Sequence, residues 1–226
     1  MVWFVHWFVK ITGWIPHLFA FRKKIYYEDK KVQGRRIKGK ALIVSNHHTV
    51  WDYAFLMFVF IGRNLRCQVA ELMYNKNVFL TGLLKGLGSI KVNRNARECA
   101  FMRKSIRLLD KNKVVVSFPE SRIPKKGEDS LLPFKPSAVY IALTSGAPIV
   151  PVAVNGAYPF FAKKRGCVMI GKPINVKEWY QAELSEKENI EIINKRLRDK
   201  VIELKNELAR RETAKQNEKE KEKKGE

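Results

Sequence analysis

Short apolar runs alternate with stretches of helical periodicity along most of this chain, and no other feature constrains its fold as much. The runs are residues 41–45 (Ala-Leu-Ile-Val-Ser), 65–70, 114–118 (Val-Val-Val-Ser-Phe), 149–154 and 167–170, with an alternating segment at 89–93. Between them, residues 49–61 read as a buried helix and 75–87 as a helix ending near Gly86 and Gly88. Residues 96–110 form an amphipathic pattern carrying Phe101, Ile106 and Leu109, and 137–144 is a further helix. Strands that are apolar throughout are buried on both faces, and helices between them permit parallel pairing. The expected fold is therefore α/β, a mixed, largely parallel sheet flanked by helices. Polar stretches at 28–40 and 120–131 read as loops, and no internal repeat is present.

Residues 1–21 are largely apolar and precede Arg22-Lys23-Lys24. A secretory signal carries its basic residues ahead of the apolar core, so this order argues against one. His6, Lys10 and His17 interrupt the stretch and fall in one wedge of a helix, with Trp3, Trp7 and Trp14 beside it. Phe4, Phe8, Ile11, Ile15 and Leu18 cover the opposite side, and Gly13 and Pro16 should bend the helix. The expectation is a monotopic anchor in the membrane interface; an ordinary helix packed on the domain and a single N-terminal span are the alternatives.

From residue 185 the chain reads as a charged helix with Ile190, Ile193, Leu197, Val201 and Leu204 at helical spacing, and fraying is expected from Ala214. Three parts follow: 1–27 as membrane-associating helical segment, 28–184 as main domain, and 185–226 as charged C-terminal helix and tail. The net charge of +22 calls for a polyanionic partner. With no zinc-finger or RNA-recognition signature and a tryptophan-rich apolar N-terminus, an anionic membrane surface is expected and nucleic acid is not. Cys67, Cys99 and Cys167 are too scattered for a disulfide framework or a metal site.

The chemistry centres on Asn46-His47-His48-Thr49-Val50-Trp51-Asp52. On one helix, five residues of separation would put His47 and Asp52 about 140° apart. At a strand-to-helix junction, however, a carboxylate in the first helical turn can orient an imidazole at the strand end. Thr49-x-x-Asp52 is equally a capping box, and His48 competes with His47 as the functional imidazole.

This block resembles the NHx(S/T)xxD motif of the glycerophospholipid acyltransferases, the 1-acylglycerol-3-phosphate acyltransferase group. Gly88-Ser-Ile-Lys-Val-Asn-Arg94, Phe118-Pro119-Glu120-Ser121-Arg122 and Ile149-Val-Pro151-Val-Ala-Val154 are similar to its second, third and fourth blocks, in family order across a motif core of 41–155. The resemblance implies transfer of a fatty acyl group from acyl-CoA or acyl-carrier protein to the hydroxyl of a lysophospholipid. His47 would be general base and Asp52 its orienting partner, with no metal and no other cofactor. It implies Arg94, then Lys135 and Arg122, as contacts to the acceptor phosphate, and Glu120 to its glycerol part or to an arginine. The third block departs from the family, with the single Ser121 where Gly-Thr is usual, so Arg122 stands one residue closer. The resemblance also implies residence on the cytoplasmic face of the cell membrane. Another acceptor (glycerol-3-phosphate, another lysolipid or a glycolipid) and a non-catalytic basic lipid-binding protein are the alternative readings.

Overall fold

The computed structural model describes residues 2–93, 99–125, 128, 131–158 and 165–224, with side chains described through residue 218. Among these residues the strands are β1 (Lys24–Tyr27), β2 (Ala41–Ser45), β3 (Leu65–Ala70), β4 (Ile90–Val92), β5 (Val114–Ser117), β6 (Ile149–Val154) and β7 (Cys167–Ile170). They form one sheet in the order β1-β7-β6-β2-β5-β3-β4. Every neighbouring pair is parallel except β6 and β7. The helices are α1 (Val2–Thr12), α2 (Trp14–Phe21), α3 (Asp52–Val59), α4 (Glu71–Tyr74), α5 (Val78–Gly86), α6 (Ala100–Asp110), α7 (Ser137–Ser145) and α8 (Glu186–Lys224).

The central strands β2 and β5 are apolar at every position before their last, Ser45 and Ser117. Ala41, Ile43, Val114 and Val116 pack on one face with Phe55, Leu56 and Val59 of α3. Leu42, Val44 and Val115 pack on the other with Leu109, Ile141, Leu197 and Val201, drawn from α6, α7 and α8. Successive strand side chains point to opposite faces, so a sheet covered on both sides favours apolar residues at successive positions. Each such Val, Leu or Ile contributes about 1.5–3 kcal/mol by leaving water.

Three of four local differences from the sequence expectation have physical causes. Lys24–Tyr27 is a strand paired with β7 rather than part of the N-terminal helical segment; Arg22, at φ +42, turns the chain out of α2. The helix expected over 75–87 is replaced by α4 and α5, because the Asn77 side chain caps α5 by accepting the Leu80 N–H at 2.7 Å. The helix expected from residue 96 is described from Ala100 onward, residues 94–98 lying outside the described chain. The tail expected to fray from Ala214 continues α8 to Lys224, in keeping with the helix propensity of Ala, Lys, Gln and Glu.

The N-terminal helices turn their polar wedge toward the domain. His6, Lys10 and His17 are buried against the domain, while Trp3, Phe4, Phe8, Ile11, Ile15 and Phe19 face outward. The polar tips find carbonyls near the ends of other helices, which lack intrahelical donors. His6 Nε2 lies 2.9 Å from the oxygen of Leu87, the cap of α5, and Lys10 Nζ donates to Ile61 O at 2.7 Å and Arg63 O at 2.8 Å beyond α3. His17 stacks on Phe58 at 4.1 Å between ring centres and accepts from Lys23 Nζ. The break falls at Gly13, where a Cβ would meet Val9 O at 2.7 Å and Phe58 Cζ at 2.8 Å. Pro16 sits in the first turn of α2, where no N–H is required. No helix among the described residues is long and apolar enough to cross a membrane.

Candidate active site

The carboxyl ends of β2, β5 and β6 deliver the site. β2 lies between β5 and β6 in the sheet, and strands diverging from a common neighbour open a crevice at their carboxyl ends. His47 follows β2, Glu120 follows β5, and the loop Asn155–Tyr158 follows β6. Asn46 ties two of these ends together: its Nδ2 donates to Val154 O at 2.9 Å and its Oδ1 accepts the Val154 N–H at 2.8 Å.

Asp52, fully buried at the start of α3, is the hub. Its Oδ2 lies 2.7 Å from His47 Nδ1 and accepts the backbone N–H of His48 at 2.7 Å and of Thr49 at 2.9 Å. Thr49 Oγ1 in turn accepts the Trp51 N–H at 3.1 Å. The capping box and the His–Asp pair are thus one arrangement, and the two readings of the motif do not compete. With Nδ1 donating to the carboxylate, neutral His47 carries its proton there and keeps the Nε2 lone pair free. The His47 side chain is 20% exposed and its ring stacks on Phe118 at 4.4 Å, so it is held yet reachable.

Glu120 holds the backbone around this base. Its Oε1 accepts the His47 N–H and its Oε2 the Leu132 N–H, each at 2.7 Å. Burial pushes its carboxyl up, opposed by the Leu132 and His47 amides. An acceptor contact by Glu120 would share oxygens that backbone amides already occupy. His48 points into a different environment: Gly156, at φ +68, leaves room for its ring, and a Cβ there would lie 2.4 Å from His48 Cβ. Burial lowers the His48 pKa, with the Asp52 charge acting the other way. Its Nε2 is buried without a hydrogen-bond partner among the described residues.

The cationic residues are scattered by comparison. Arg94 lies outside the described residues. Arg122 is exposed and clasps Glu128 through both guanidinium arms, at 2.6 and 3.0 Å. That fork holds the Glu128 carboxyl down to about 2. Ser121 between Glu120 and Arg122 adopts φ +62, a conformation that favours the glycine usual there. Lys135 is exposed, and its N–H donates to Pro119 O at 2.9 Å, beside the third block. No three His, Cys, Asp or Glu side chains among the described residues gather as metal ligands.

Three contributors escaped the sequence reading. Phe118, inside the third block, is the platform for His47. Tyr158 stands two residues after Gly156, and its ring lies 4.6 Å from Phe55 and 5.4 Å from Phe21. Burial, then the Asp52 charge, pushes its phenol well above the ordinary range. Lys205 of α8 adds positive charge near both His48 and Glu120. Only Phe118 lay within a motif; the others come from segments distant in sequence.

The mostly parallel α/β sheet thus carries, at its carboxyl edge, an imidazole hydrogen-bonded to a buried carboxylate. The Acyltransferase family matches residues 23–155, and the chain belongs to that family. It is 28% identical over 158 residues to 1-acyl-sn-glycerol-3-phosphate acyltransferase beta of Homo sapiens, covering 70% of this chain and 56% of that protein. It is likewise 28% identical over 171 residues to the 1-acyl-sn-glycerol-3-phosphate acyltransferase of Saccharomyces cerevisiae, covering 70% of this chain and 55% of that one. The chain thus spans about half the length of the curated relatives it matches. The crystal structure of the 1-acyl-sn-glycerophosphate (LPA) acyltransferase from Thermotoga maritima has the same fold, with a TM-score of 0.59, 20% identity, and coverage of 90% of this chain and 79% of that one.

Proposed function

We propose that the protein transfers a fatty acyl group from an acyl thioester to the free hydroxyl of 1-acylglycerol-3-phosphate, giving phosphatidic acid. The observation that carries this reading is the 2.7 Å contact between His47 Nδ1 and buried Asp52, which leaves Nε2 as a proton acceptor at the sheet edge. The acceptor hydroxyl gives its proton to His47 Nε2 as its oxygen attacks the thioester carbonyl. Asp52 stabilises the imidazolium, the C–S bond breaks, and the thiolate leaves with the proton returned from His47. Arg94, Lys135 and Arg122 are the cations proposed for the acceptor phosphate, with Arg122 first having to exchange Glu128 for it. The family relatives named above support the choice of acceptor.

The same reading puts the protein on the cytoplasmic surface of an anionic membrane. The outward aromatic and aliphatic side chains of α1 and α2, joined by Val78 and Phe79 at the start of α5, support this, as does the net charge of +22. Vesicles carrying 1-acylglycerol-3-phosphate, glycerol-3-phosphate or a neutral lysolipid, each with long-chain acyl-CoA or acyl-carrier protein, test the function. Product is expected from 1-acylglycerol-3-phosphate foremost. Preference for the neutral lysolipid would rule out the acceptor assignment.

A further inference from the structure

Gly156, which makes room for His48, also lines a cleft of about 810 Å³ between the loop after β6, the start of β1 and the later turns of α8. Lys24, Arg165 and Lys215 converge on it, with Glu212 as the acidic residue of its wall. Glu212 is held within the cleft wall, its Oε1 accepting from Asn155 Nδ2 at 2.9 Å. Among the described residues, none of the three cations forms an ion pair within 4.0 Å.

Two of these cations crowd one aromatic ring. Lys24 Nζ lies 5.3 Å and Lys215 Nζ 5.5 Å from the centre of Tyr26, which is only 8% exposed. The ring attracts each ammonium, and an anion bound in the cleft would offset the positive charge that both bring to it. Polar contacts are left over as well: the buried Tyr26 hydroxyl has no hydrogen-bond partner among the described residues. Convergent cations without carboxylate partners are the recognition chemistry of phosphate esters.

The cleft adjoins the catalytic centre. Lys205 of α8 acts on His48 and Glu120, and Glu212 follows it by seven residues, about 10 Å along a helix. A ligand anchored here could extend an arm toward His47. The outward aromatics of α1 and α2 take no part in lining it, which separates it from the surface assigned to the membrane.

We propose that this cleft binds the phosphorylated nucleotide of a coenzyme A-type acyl donor, with Lys24, Arg165 and Lys215 meeting its phosphates. The assignment to the donor rests on the acyl-transfer reading above; the phosphate chemistry does not. The test is calorimetric titration of the full chain with 3′,5′-adenosine bisphosphate, which has no thioester and cannot turn over. Wild type and His47→Ala should bind alike, and Lys24→Ala/Lys215→Ala should bind about 10-fold more weakly or worse. In steady-state assays the double variant should raise the KM for acyl-CoA and leave that for the acceptor unchanged. Equal nucleotide affinity in wild type and double variant, or no binding to wild type, would overturn the proposal. So would equal displacement by inorganic phosphate, which would make the site a simple anion cradle. A double variant that loses only its binding to phosphatidic acid vesicles would reassign the cations to a lipid headgroup and likewise overturn it. Intact nucleotide binding in a protein that transfers no acyl group would instead sink the acyl-transfer reading while the subsite stood.

Discussion

Asp52 does two tasks with one carboxylate: it takes the free amides at the approach to α3 and it orients His47. The tasks respond differently to substitution. Asn in place of Asp52 keeps an acceptor oxygen for the amides but removes the charge that stabilises the imidazolium. Asp52→Asn should therefore lose about 10²–10⁴-fold in kcat. Its melting temperature should fall far less than that of Asp52→Ala; equal melting losses in the two variants would contradict the shared role. Gly156 is the second sensitive position. Gly156→Ala adds a Cβ 2.4 Å from His48 Cβ at φ +68, and should cost about 1–3 kcal/mol, measured by denaturant unfolding. An unchanged midpoint would mean that the loop yields without cost. The spacing from His47 to Asp52 made the pair legible, because both lie on one short local path. Tyr158 was not legible, since its relation to Asp52 exists only once β2 and β6 pair.

At the scale of elements, helical periodicity separated the polar wedge of residues 1–21 from its apolar side but could not say which side met the domain. Lone polar residues in an apolar helix look like the wet face. Here they are the docked face, because they supply donors to carbonyls at the ends of neighbouring helices. His6 makes this docking sensitive to pH. Burial lowers its pKa to about 4 from an ordinary 6.5. Undocked His6 binds a proton as pH falls below 6.5 while docked His6 does not, so docking is fully favoured above 6.5 and weakens from there to about 4. The loss should reach up to about 3 kcal/mol. Hydrogen exchange of α1 amides should show constant protection above pH 6.5 and declining protection below; a flat profile, or a rise toward acid, would contradict it. Outward from this docked face, Phe79, 82% exposed, lines a groove with Phe8 of α1, and Ile11 is exposed on the same helix. Ile11→Asp/Phe79→Asp should weaken vesicle binding with the fold intact, and full retention would remove this surface as the membrane contact.

For the whole molecule, the alternation of apolar runs and helices made the parallel sheet readable, because burial on both faces leaves a sequence mark that no loop imitates. The edges carried weaker marks. β1 is a four-residue strand starting with a lysine, and its pairing with β7 depends on residues more than 140 positions away. α8 was legible as a helix through Ile193, Leu197 and Val201, but its place in the core was not. It covers the sheet through Leu204 and Leu208, which pack with Ala153, Cys167 and Met169, so the C-terminal segment shares the core of the sheet. The sheet thereby brings His47, Glu120 and the Asn155–Tyr158 loop to one edge from three strand ends, with α8 alongside. The most direct test of this account is the rate of labelled acyl transfer from a long-chain acyl-CoA to 1-acylglycerol-3-phosphate on vesicles, for wild type and His47→Ala matched in melting temperature and vesicle binding. A loss of at least about 10²-fold in His47→Ala is expected; transfer at the wild-type rate would contradict His47 as the base.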